Sequence, residues 1–164
     1  AKKNINTSKK NIIIGAGSSG TSTRWGAINF INLIKKLNEK KNCFFYLLCG
    51  PNESEIAEKI IKEIGSDVSV SLSNKTIAEV VPIISVCDMY IGNDSFGHHV
   101  SSQSSIPSLI IMLDTPRAYT DYSKNQFRIL PPGISIDEIT HDSRISPNEI
   151  DVDTVLKKTL SLLN

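Results

Sequence analysis

The sequence contains little cysteine and histidine, the residues on which disulfide-rich and metal-binding small proteins depend. Its three cysteines, Cys43, Cys49 and Cys87, are odd in number and show no C-x-x-C spacing. This pattern argues against a disulfide framework and is typical of reduced, structural cysteines in a cytosolic protein. The three histidines include the adjacent pair His98 and His99, but they match no recognisable spacing of metal ligands. We therefore expect no metal site.

Long apolar runs and an excess of one charge are also missing. No apolar stretch approaches the roughly 18 residues that a membrane-spanning helix needs, and no signal peptide is recognisable. The sequence therefore predicts a soluble, cytoplasmic protein. Eighteen basic and 17 acidic residues leave a net charge of +1, so no general attraction to nucleic acid or to an anionic membrane is expected. An anion-binding site would have to be local.

What the chain does contain is apolar sequence with the spacing of an α/β domain. With 164 residues and 40% hydrophobic content, it is large enough for one packed domain. Apolar runs without alternation indicate strands buried on both faces of a parallel sheet, and they occur at residues 12–14, 43–49, 68–72, 89–92, 109–113 and, more weakly, 127–130. Segments of helical period lie between or after them, notably at 25–37, 56–64 and 151–163. These patterns predict an α/β, doubly wound domain over residues 11–164, preceded by a linker or tag remnant at residues 1–10.

Two predicted helix starts carry the spacing of a capping box. Asn52 is followed by Glu55, and Thr76 is followed by Glu79, so in each pair the first side chain can cap the helix while the second reaches back. Pro82 lies inside the segment that Thr76 would cap. Because proline lacks the N–H of a helical hydrogen bond, we expect that helix to be kinked or to begin later.

The first apolar run leads into Gly15-x-Gly17-x-x-Gly20, the glycine spacing of a dinucleotide-binding loop. In such a loop an acidic residue about 20 positions further on, at the end of the next strand, holds the ribose. Glu39 is the only acidic residue near that spacing, and it lies among lysines before the second strand. The loop continues instead with hydroxyl side chains and Arg24, which suit phosphate oxygens. An NAD enzyme is an alternative that would require saturable NADH binding.

A second candidate loop follows the fourth apolar run. Asp94 and Ser95 could cap a short helix over residues 100–105, which would leave the amides of Phe96 and Gly97 free for an anion. In an open parallel sheet, ligands bind outside the carboxyl ends of the strands, so this loop and the glycine loop would share one site. The alternative is that the segment does no more than cap a helix.

The basic residues of these loops allow two interpretations each. Arg24 could face a diphosphate from the positive end of the following helix, or it could be a surface arginine beside the core residue Trp25. Lys75, in the loop after the third apolar run, could flank the base of a nucleotide or be solvated. Both interpretations stay open at this point.

The order and spacing of these pieces resemble the C-terminal half of the lipopolysaccharide heptosyltransferases, glycosyltransferase family 9. The resemblance covers nearly the whole chain, with matching pieces at residues 18–19, 23–25, 47–55, 72–79, 93–99, 106–107 and 122–126. It implies a GT-B enzyme with two Rossmann-like domains, of which the C-terminal one binds the sugar-nucleotide donor, ADP-heptose in this family. This chain looks like that donor domain alone, a three-layer Rossmann-like domain with a mostly parallel sheet of about six strands.

The resemblance assigns the donor's diphosphate to the first loop. It implies that Ser18 and Ser19 contact the diphosphate. Thr23 stands in this donor site where the family usually has a lysine, so Arg24 would have to neutralise the diphosphate.

The nucleoside is assigned to the second and third loops. The resemblance implies that Glu53 or Glu55 contacts the ribose and that Lys75 with Thr76 lies on the adenine side. It implies no required cofactor, because the nucleotide-diphospho-sugar is itself the substrate.

The fourth loop is assigned to the sugar and phosphate. The resemblance implies that Asp94, Ser95 and the amides of Phe96 and Gly97 hold them, with His99 closing a D-x-x-x-x-H pattern. Phe96 stands where the family usually has glycine, and a side chain there narrows the approach to the backbone. Either the donor differs from ADP-heptose, or the site has drifted toward weak or absent activity.

The reaction implied is an inverting single displacement, in which an acceptor hydroxyl attacks the anomeric carbon and the nucleoside diphosphate leaves. The family's catalytic base lies in the N-terminal acceptor-binding domain, so no catalytic residue is expected in this chain, which should bind donor without turning it over. The expected acceptor is a glycan or glycolipid, reached from the cytoplasm or from the inner face of the membrane. Alternatives are another GT-B enzyme, such as a nucleotide-sugar 2-epimerase, and a non-catalytic nucleotide- or phosphosugar-binding module.

Overall fold

Six strands form one parallel sheet in the computed structural model, which describes residues 8–20 and 24–163. The strands are β1 (Lys10–Gly15), β2 (Cys43–Leu48), β3 (Ser69–Ser71), β4 (Met89–Asn93), β5 (Ser108–Ile111) and β6 (Gln126–Ile129). Each overlaps a predicted apolar run, with ends that differ by at most two residues. β1 begins one residue inside the predicted linker.

Five α-helices cover the two faces of this sheet in the described part of the chain. They are α1 (Ala27–Lys40), α2 (Ser54–Ile64), α3 (Ile77–Ile84), α4 (Phe96–Gln103) and α5 (Val152–Leu162). Ile12 and Ile14 of β1 pack in one core with α1, α2 and α5, whereas Ile13 packs in another with α3. The apolar runs do not alternate because both faces of each central strand are buried. The predicted three-layer, Rossmann-like architecture is therefore confirmed. None of the described helices is long and apolar enough to cross a membrane.

The strand order is β3-β2-β1-β4-β5-β6, with every neighbouring pair parallel. The chain first adds β2 and β3 on one side of β1 and then returns to add β4 on the other side of β1. The crevice at such a reversal, outside the carboxyl ends of the two strands, is where doubly wound sheets bind ligands. Gly15 of β1 lies opposite Gly92 of β4 in the register, so both strands enter this crevice at the same level.

The predicted capping box at the start of α3 is present, whereas the one predicted at the start of α2 is not. Thr76 caps α3 as expected, because its N–H and its hydroxyl both donate to Glu79 Oε2, at 2.8 and 2.9 Å. The predicted box of Asn52 and Glu55 is wrong. The carboxylate that reaches back belongs to Glu53, and the chain first makes a short 3-10 turn before α2 begins at Ser54.

Pro82 does not delay the start of α3, whereas the start of α4 differs from the prediction. α3 begins directly after its cap and continues through Pro82 to Ile84, so it does not begin later. The proline comes in the second turn of a two-turn helix, where the missing N–H costs one hydrogen bond near the helix end. α4 begins at Phe96 rather than at Val100. The first turn of α4 therefore contains residues that were expected to lie in a loop.

All three cysteines are free and buried, and each is at most 6% exposed. Burial raises the pKa of Cys43 to about 11, and it raises the pKa of Cys49 and of Cys87 to about 12. Because the thiolate is the reactive form, we expect a maleimide at pH 8 to leave the folded chain unmodified by mass spectrometry. The same chain in guanidinium should take up three labels. Rapid labelling of the folded chain would show that these thiols are accessible.

Candidate functional site

The loops at the carboxyl ends of β1, β2, β3 and β4 enclose one cleft of about 590 Å³. All four loops singled out in the sequence contribute to it. Eight of the predicted donor-binding residues line the cleft: Ser18, Ser19, Arg24, Glu53, Lys75, Ser95, Phe96 and Gly97. Glu55, Thr76, Asp94 and His99 are not among its lining residues. Thr23 lies outside the described residues.

Glu53 is the residue on which the first two loops converge. Its Oε1 accepts a hydrogen bond from the backbone N–H of Ser18 at 3.0 Å and from Arg24 Nη2 at 2.5 Å. Its Oε2 accepts from the backbone N–H of Gly50 at 2.9 Å. Arg24 Nη2 also donates to the Ser18 carbonyl at 2.9 Å. One carboxylate therefore ties the glycine loop, the arginine and the β2–α2 turn together.

This arrangement changes the interpretation of two predicted donor contacts, that of Arg24 with the diphosphate and that of Glu53 or Glu55 with the ribose. The charge of Arg24 is balanced by Glu53, whose side chain is 16% exposed, while that of Arg24 is 28% exposed. Both oxygens of Glu53 already accept hydrogen bonds from the protein. Glu55, the other candidate for the ribose, is exposed in the first turn of α2. Sequence spacing alone missed the Arg24–Glu53 ion pair because 29 residues separate its members.

The opposite wall of the cleft comes from the β3–α3 loop and α3. Lys75 lines it, with its Nζ 4.0 Å from Glu79 Oε1. Thr76 is occupied in capping α3 and is exposed. Apolar side chains complete this wall, including Ile77, which is 67% exposed, and Val80. The cleft thus combines a lysine with an apolar surface.

The N-terminus of α4 forms the third side of the cleft. The amides of Phe96 and Gly97 lie in its first turn, where backbone N–H groups have no intrahelical acceptor. The Phe96 side chain is 43% exposed and lines the cleft. A Cβ at Gly97 would lie 2.5 Å from Leu48 Cδ2 and 2.6 Å from Tyr90 Cε2. Close packing therefore requires glycine at this position, and the helix end is held against the sheet.

Asp94 lies just outside the cleft, beside two histidines. Its Oδ1 is 2.9 Å from His98 Nδ1 and 3.7 Å from His99 Nε2, and its Oδ2 accepts from Thr115 Oγ1 at 3.1 Å. Burial acts to raise the pKa of Asp94, but the hydrogen bond and charge of His98 and the bond from Thr115 outweigh it and lower that pKa. Burial and the charge of His98 also lower the pKa of His99. Asp94 is therefore ionised, and His99 is neutral, near pH 7.

Asn93 connects the two loops at the crevice, and its role was not predicted. The side chain is fully buried, with Nδ2 donating to the Ala16 carbonyl at 3.0 Å and Oδ1 accepting from the Trp25 N–H at 2.9 Å. Trp25 is itself buried, and its Nε1 donates to the Ile150 carbonyl at 2.9 Å. A polar residue at the last position of an otherwise apolar strand was the available signal.

Comparison with known proteins gives matches along this whole fold. Residues 1–130 match the model of glycosyltransferase family 9 (heptosyltransferase). Escherichia coli ADP-heptose lps heptosyltransferase II superposes with a TM-score of 0.80 at 21% identity, over 99% of this chain and 49% of that chain. E. coli heptosyltransferase WaaC, solved with ADP-2-deoxy-2-fluoro heptose, gives 0.69 at 16% identity, over 96% of this chain and 46% of that chain.

A curated relative from Haemophilus influenzae, named as a glycosyltransferase, is 28% identical over 107 residues, which are 64% of this chain and 31% of the relative. The chain thus spans about a third of that relative and about half of each solved structure. The match to the family model covers well over half of the present chain. The chain belongs to glycosyltransferase family 9, the heptosyltransferase family.

Proposed function

We propose that this chain is the donor-binding half of a glycosyltransferase, whose cleft takes a nucleoside diphosphate sugar of the ADP-heptose type for inverting transfer to a lipopolysaccharide or other glycan acceptor. The observation that carries the proposal is the convergence of four loops on one cleft at the β1/β4 reversal. Solved relatives of the same fold include one with ADP and one with an ADP-heptose analogue. The analogue is a nucleoside diphosphate sugar, the class proposed here, and ADP is the nucleoside diphosphate part of such a donor.

The diphosphate would lie between the glycine loop and the first turn of α4. The amides of Phe96 and Gly97 point from a helix N-terminus, where the helix dipole adds partial positive charge. Lys75 brings a full positive charge to the same cleft. Because Glu53 already balances Arg24, we expect Lys75 to contribute more than Arg24 to diphosphate affinity.

The nucleoside would lie against the apolar side of the cleft. Leu72, Ile77 and Val80 line it and offer a surface on which a flat base can pack. Phe96 stands at the opposite side, next to the helix N-terminus. Its ring reduces the space for the sugar, so the donor's sugar must approach beside the ring rather than across the backbone.

The chemical step would depend on charge stabilisation by this half of the protein. As the bond to the anomeric carbon breaks, negative charge grows on the departing diphosphate, and preorganised N–H groups and Lys75 would stabilise that charge. The base that deprotonates the acceptor hydroxyl would come from an acceptor-binding domain outside this chain. We infer that this half alone binds donor without transferring the sugar.

Titration with ADP, UDP and NADH tests this proposal. A ligand at about 100 times its dissociation constant adds roughly 2.7 kcal/mol of stability. Binding can therefore be detected as a rise in the unfolding temperature, and calorimetry gives the dissociation constant. We expect ADP to bind and Lys75→Ala to weaken it about tenfold, or about 1.4 kcal/mol. Lys124→Ala, which removes an exposed lysine outside the cleft, should leave the affinity unchanged.

Three results would contradict the proposal. They are saturable binding of NADH in place of ADP, equal effects of the two lysine substitutions, and sugar transfer by this chain alone. The first result would favour a dinucleotide enzyme. The second would show that ADP binds outside the cleft. The third places a catalytic base in the present chain.

A further inference from the structure

A fully buried tyrosine, Tyr90, lies behind the wall of the cleft that α4 forms. It is the second residue of β4. Its Oη is 2.7 Å from the Asn93 carbonyl oxygen and 3.1 Å from Ser95 Oγ. We propose that Tyr90 is a positioning residue for the donor's diphosphate, and that it acts by holding Ser95 and the first turn of α4 in place. This inference rests on the proposed donor function.

Three glycines leave room for the Tyr90 side chain at this end of the sheet. A Cβ at Gly15 of β1 would overlap the tyrosine hydroxyl, and a Cβ at Gly92 of β4 would lie 2.7 Å from it. A Cβ at Gly97, in the first turn of α4, would lie 2.6 Å from Tyr90 Cε2. The tyrosine side chain therefore packs against the backbone of both strands at the crevice and against the helix that follows.

The direction of the two hydrogen bonds of Tyr90 follows from the chemistry of their atoms. Burial raises the pKa of Tyr90, so its hydroxyl keeps the proton at neutral pH. A hydroxyl has one proton to donate, and a carbonyl oxygen can only accept. Tyr90 Oη therefore donates to the Asn93 carbonyl, and the Ser95 hydroxyl donates to Tyr90 Oη. The Ser95 side chain is thus held by an acceptor that is itself fixed in the core.

Ser95 transmits this constraint to the cleft, because it is the N-cap residue of α4. The position of an N-cap residue sets where the first helical turn lies and where its free N–H groups point. Those groups include the amides of Phe96 and Gly97, the proposed partners of the diphosphate. On the other side of the crevice, the Asn93 side chain holds the Ala16 carbonyl of the glycine loop. The segment that Tyr90 anchors therefore contacts both phosphate-binding loops.

The part of the ligand that depends on Tyr90 is the phosphate farther from the base. The base would pack on the apolar wall that Leu72, Ile77 and Val80 form after β3, whereas α4 follows β4, on the other side of β1. In a nucleotide that spans this distance, the second phosphate lies closer to α4 than the first. ADP has that phosphate and AMP lacks it. The two nucleotides therefore report separately on the start of α4 and on the rest of the cleft.

Titration of the unsubstituted chain and of Tyr90→Phe with ADP and with AMP tests the inference. The substitution keeps the ring and removes only the hydroxyl, so we expect it to weaken ADP binding about three- to tenfold, the range of one hydrogen bond. The affinity for AMP should stay unchanged. The matched control is Tyr46→Phe, which removes the hydroxyl of another buried tyrosine in the same core cluster. Tyr46 Oη is 3.2 Å from Asn11 Oδ1, near the amino end of β1, so this variant should bind both nucleotides as the unsubstituted chain does.

The variant Ser95→Ala tests whether Tyr90 acts through Ser95. It removes the other hydroxyl of the same hydrogen bond and should also weaken ADP binding without affecting AMP. The double variant Tyr90→Phe/Ser95→Ala should lose less affinity than the product of the two single effects, because both substitutions break one shared contact. Circular dichroism identifies any variant that fails to fold.

Three results would overturn the role of Tyr90 and leave the donor function intact. They are an unchanged ADP affinity in Tyr90→Phe, equal losses of ADP and AMP affinity in that variant, and an equal effect of Tyr46→Phe. If Tyr90→Phe does not fold, Ser95→Ala decides the question by the same comparison of ADP with AMP. Failure of the unsubstituted chain to bind ADP would instead overturn the donor function, and the role of Tyr90 with it.

Discussion

Replacement of Glu53 by alanine is expected to lower the free energy of unfolding by about 2 kcal/mol, because leaving the partners of a charged, partly buried group unsatisfied costs about 1 to 3 kcal/mol. The substitution removes the carboxylate that pairs with Arg24 and that accepts hydrogen bonds from the amides of Ser18 and Gly50. Arg24 would then hold an uncompensated charge that is 28% exposed. Equilibrium unfolding in urea, followed by circular dichroism, measures the loss.

The neighbouring residue Glu55 supplies the matched control. It is an exposed glutamate in the first turn of α2, so Glu55→Ala should cost less than about 1 kcal/mol through the helix dipole. The double variant Arg24→Ala/Glu53→Ala should lose less stability than the sum of the single variants, because the second substitution removes the charge that the first leaves unpaired. If Glu53→Ala costs no more than Glu55→Ala, the ion pair does not hold the loops together.

Replacement of Gly92 by alanine is expected to lower the free energy of unfolding by about 3 kcal/mol, the upper end of the cost of adding a methyl group to a tightly packed interior. An added Cβ would lie 2.5 Å from the carbonyl oxygen of Gly15 and 2.6 Å from its Cα. These are backbone atoms of the paired strand β1, so no side-chain rotation relieves the clash. The two strands would have to separate at the point where both enter the crevice. We therefore expect Gly92→Ala to weaken ADP binding as well, measured by the same titration.

Gly133 is the control for the general cost of replacing a glycine. Its φ is +77° and nothing lies within 4 Å of an added Cβ, so Gly133→Ala carries only the cost of a left-handed backbone, about 1 to 2 kcal/mol. It lies outside the cleft and should leave ADP affinity unchanged. Equal losses in the two variants, or an unchanged ADP affinity in Gly92→Ala, would show that the β1–β4 approach is not needed for the site.

The architecture could be predicted because it depends on the order of local patterns. Continuous apolar runs such as residues 43–49 and 89–92 mark strands that are buried on both faces, whatever surrounds them. The helical period of residues 25–37 and the cap at Thr76 act within a few residues of chain. The starts of α2 and α4 were missed for the complementary reason. Glu53, not Asn52 or Glu55, occupies the start of α2, and Ser95, one of the two predicted caps, caps a helix that begins directly after it and not at Val100.

The site could be predicted only as a set of loops. Strand order β1-β4 brings Ser18 and Ser95 to one cleft from positions 77 residues apart in the sequence, and a parallel sheet makes that convergence foreseeable. Which side chains pair within the cleft was not foreseeable. The pairing of Arg24 with Glu53 depends on the distance between two loops, and that distance is set by packing across β1 and β2.

The sequence by itself therefore determined an α/β domain, and it predicted free cysteines, a glycine loop suited to phosphate and a second loop at Asp94, because each of these is encoded within a short stretch of chain. Tertiary structure alone decided that Glu53 balances Arg24, that Asn93 joins the two loops, and that Asp94 meets both His98 and His99. The physical reason is the range of the interactions. Hydrogen bonds and ion pairs act over about 3 to 4 Å, and only the folded sheet brings distant residues that close.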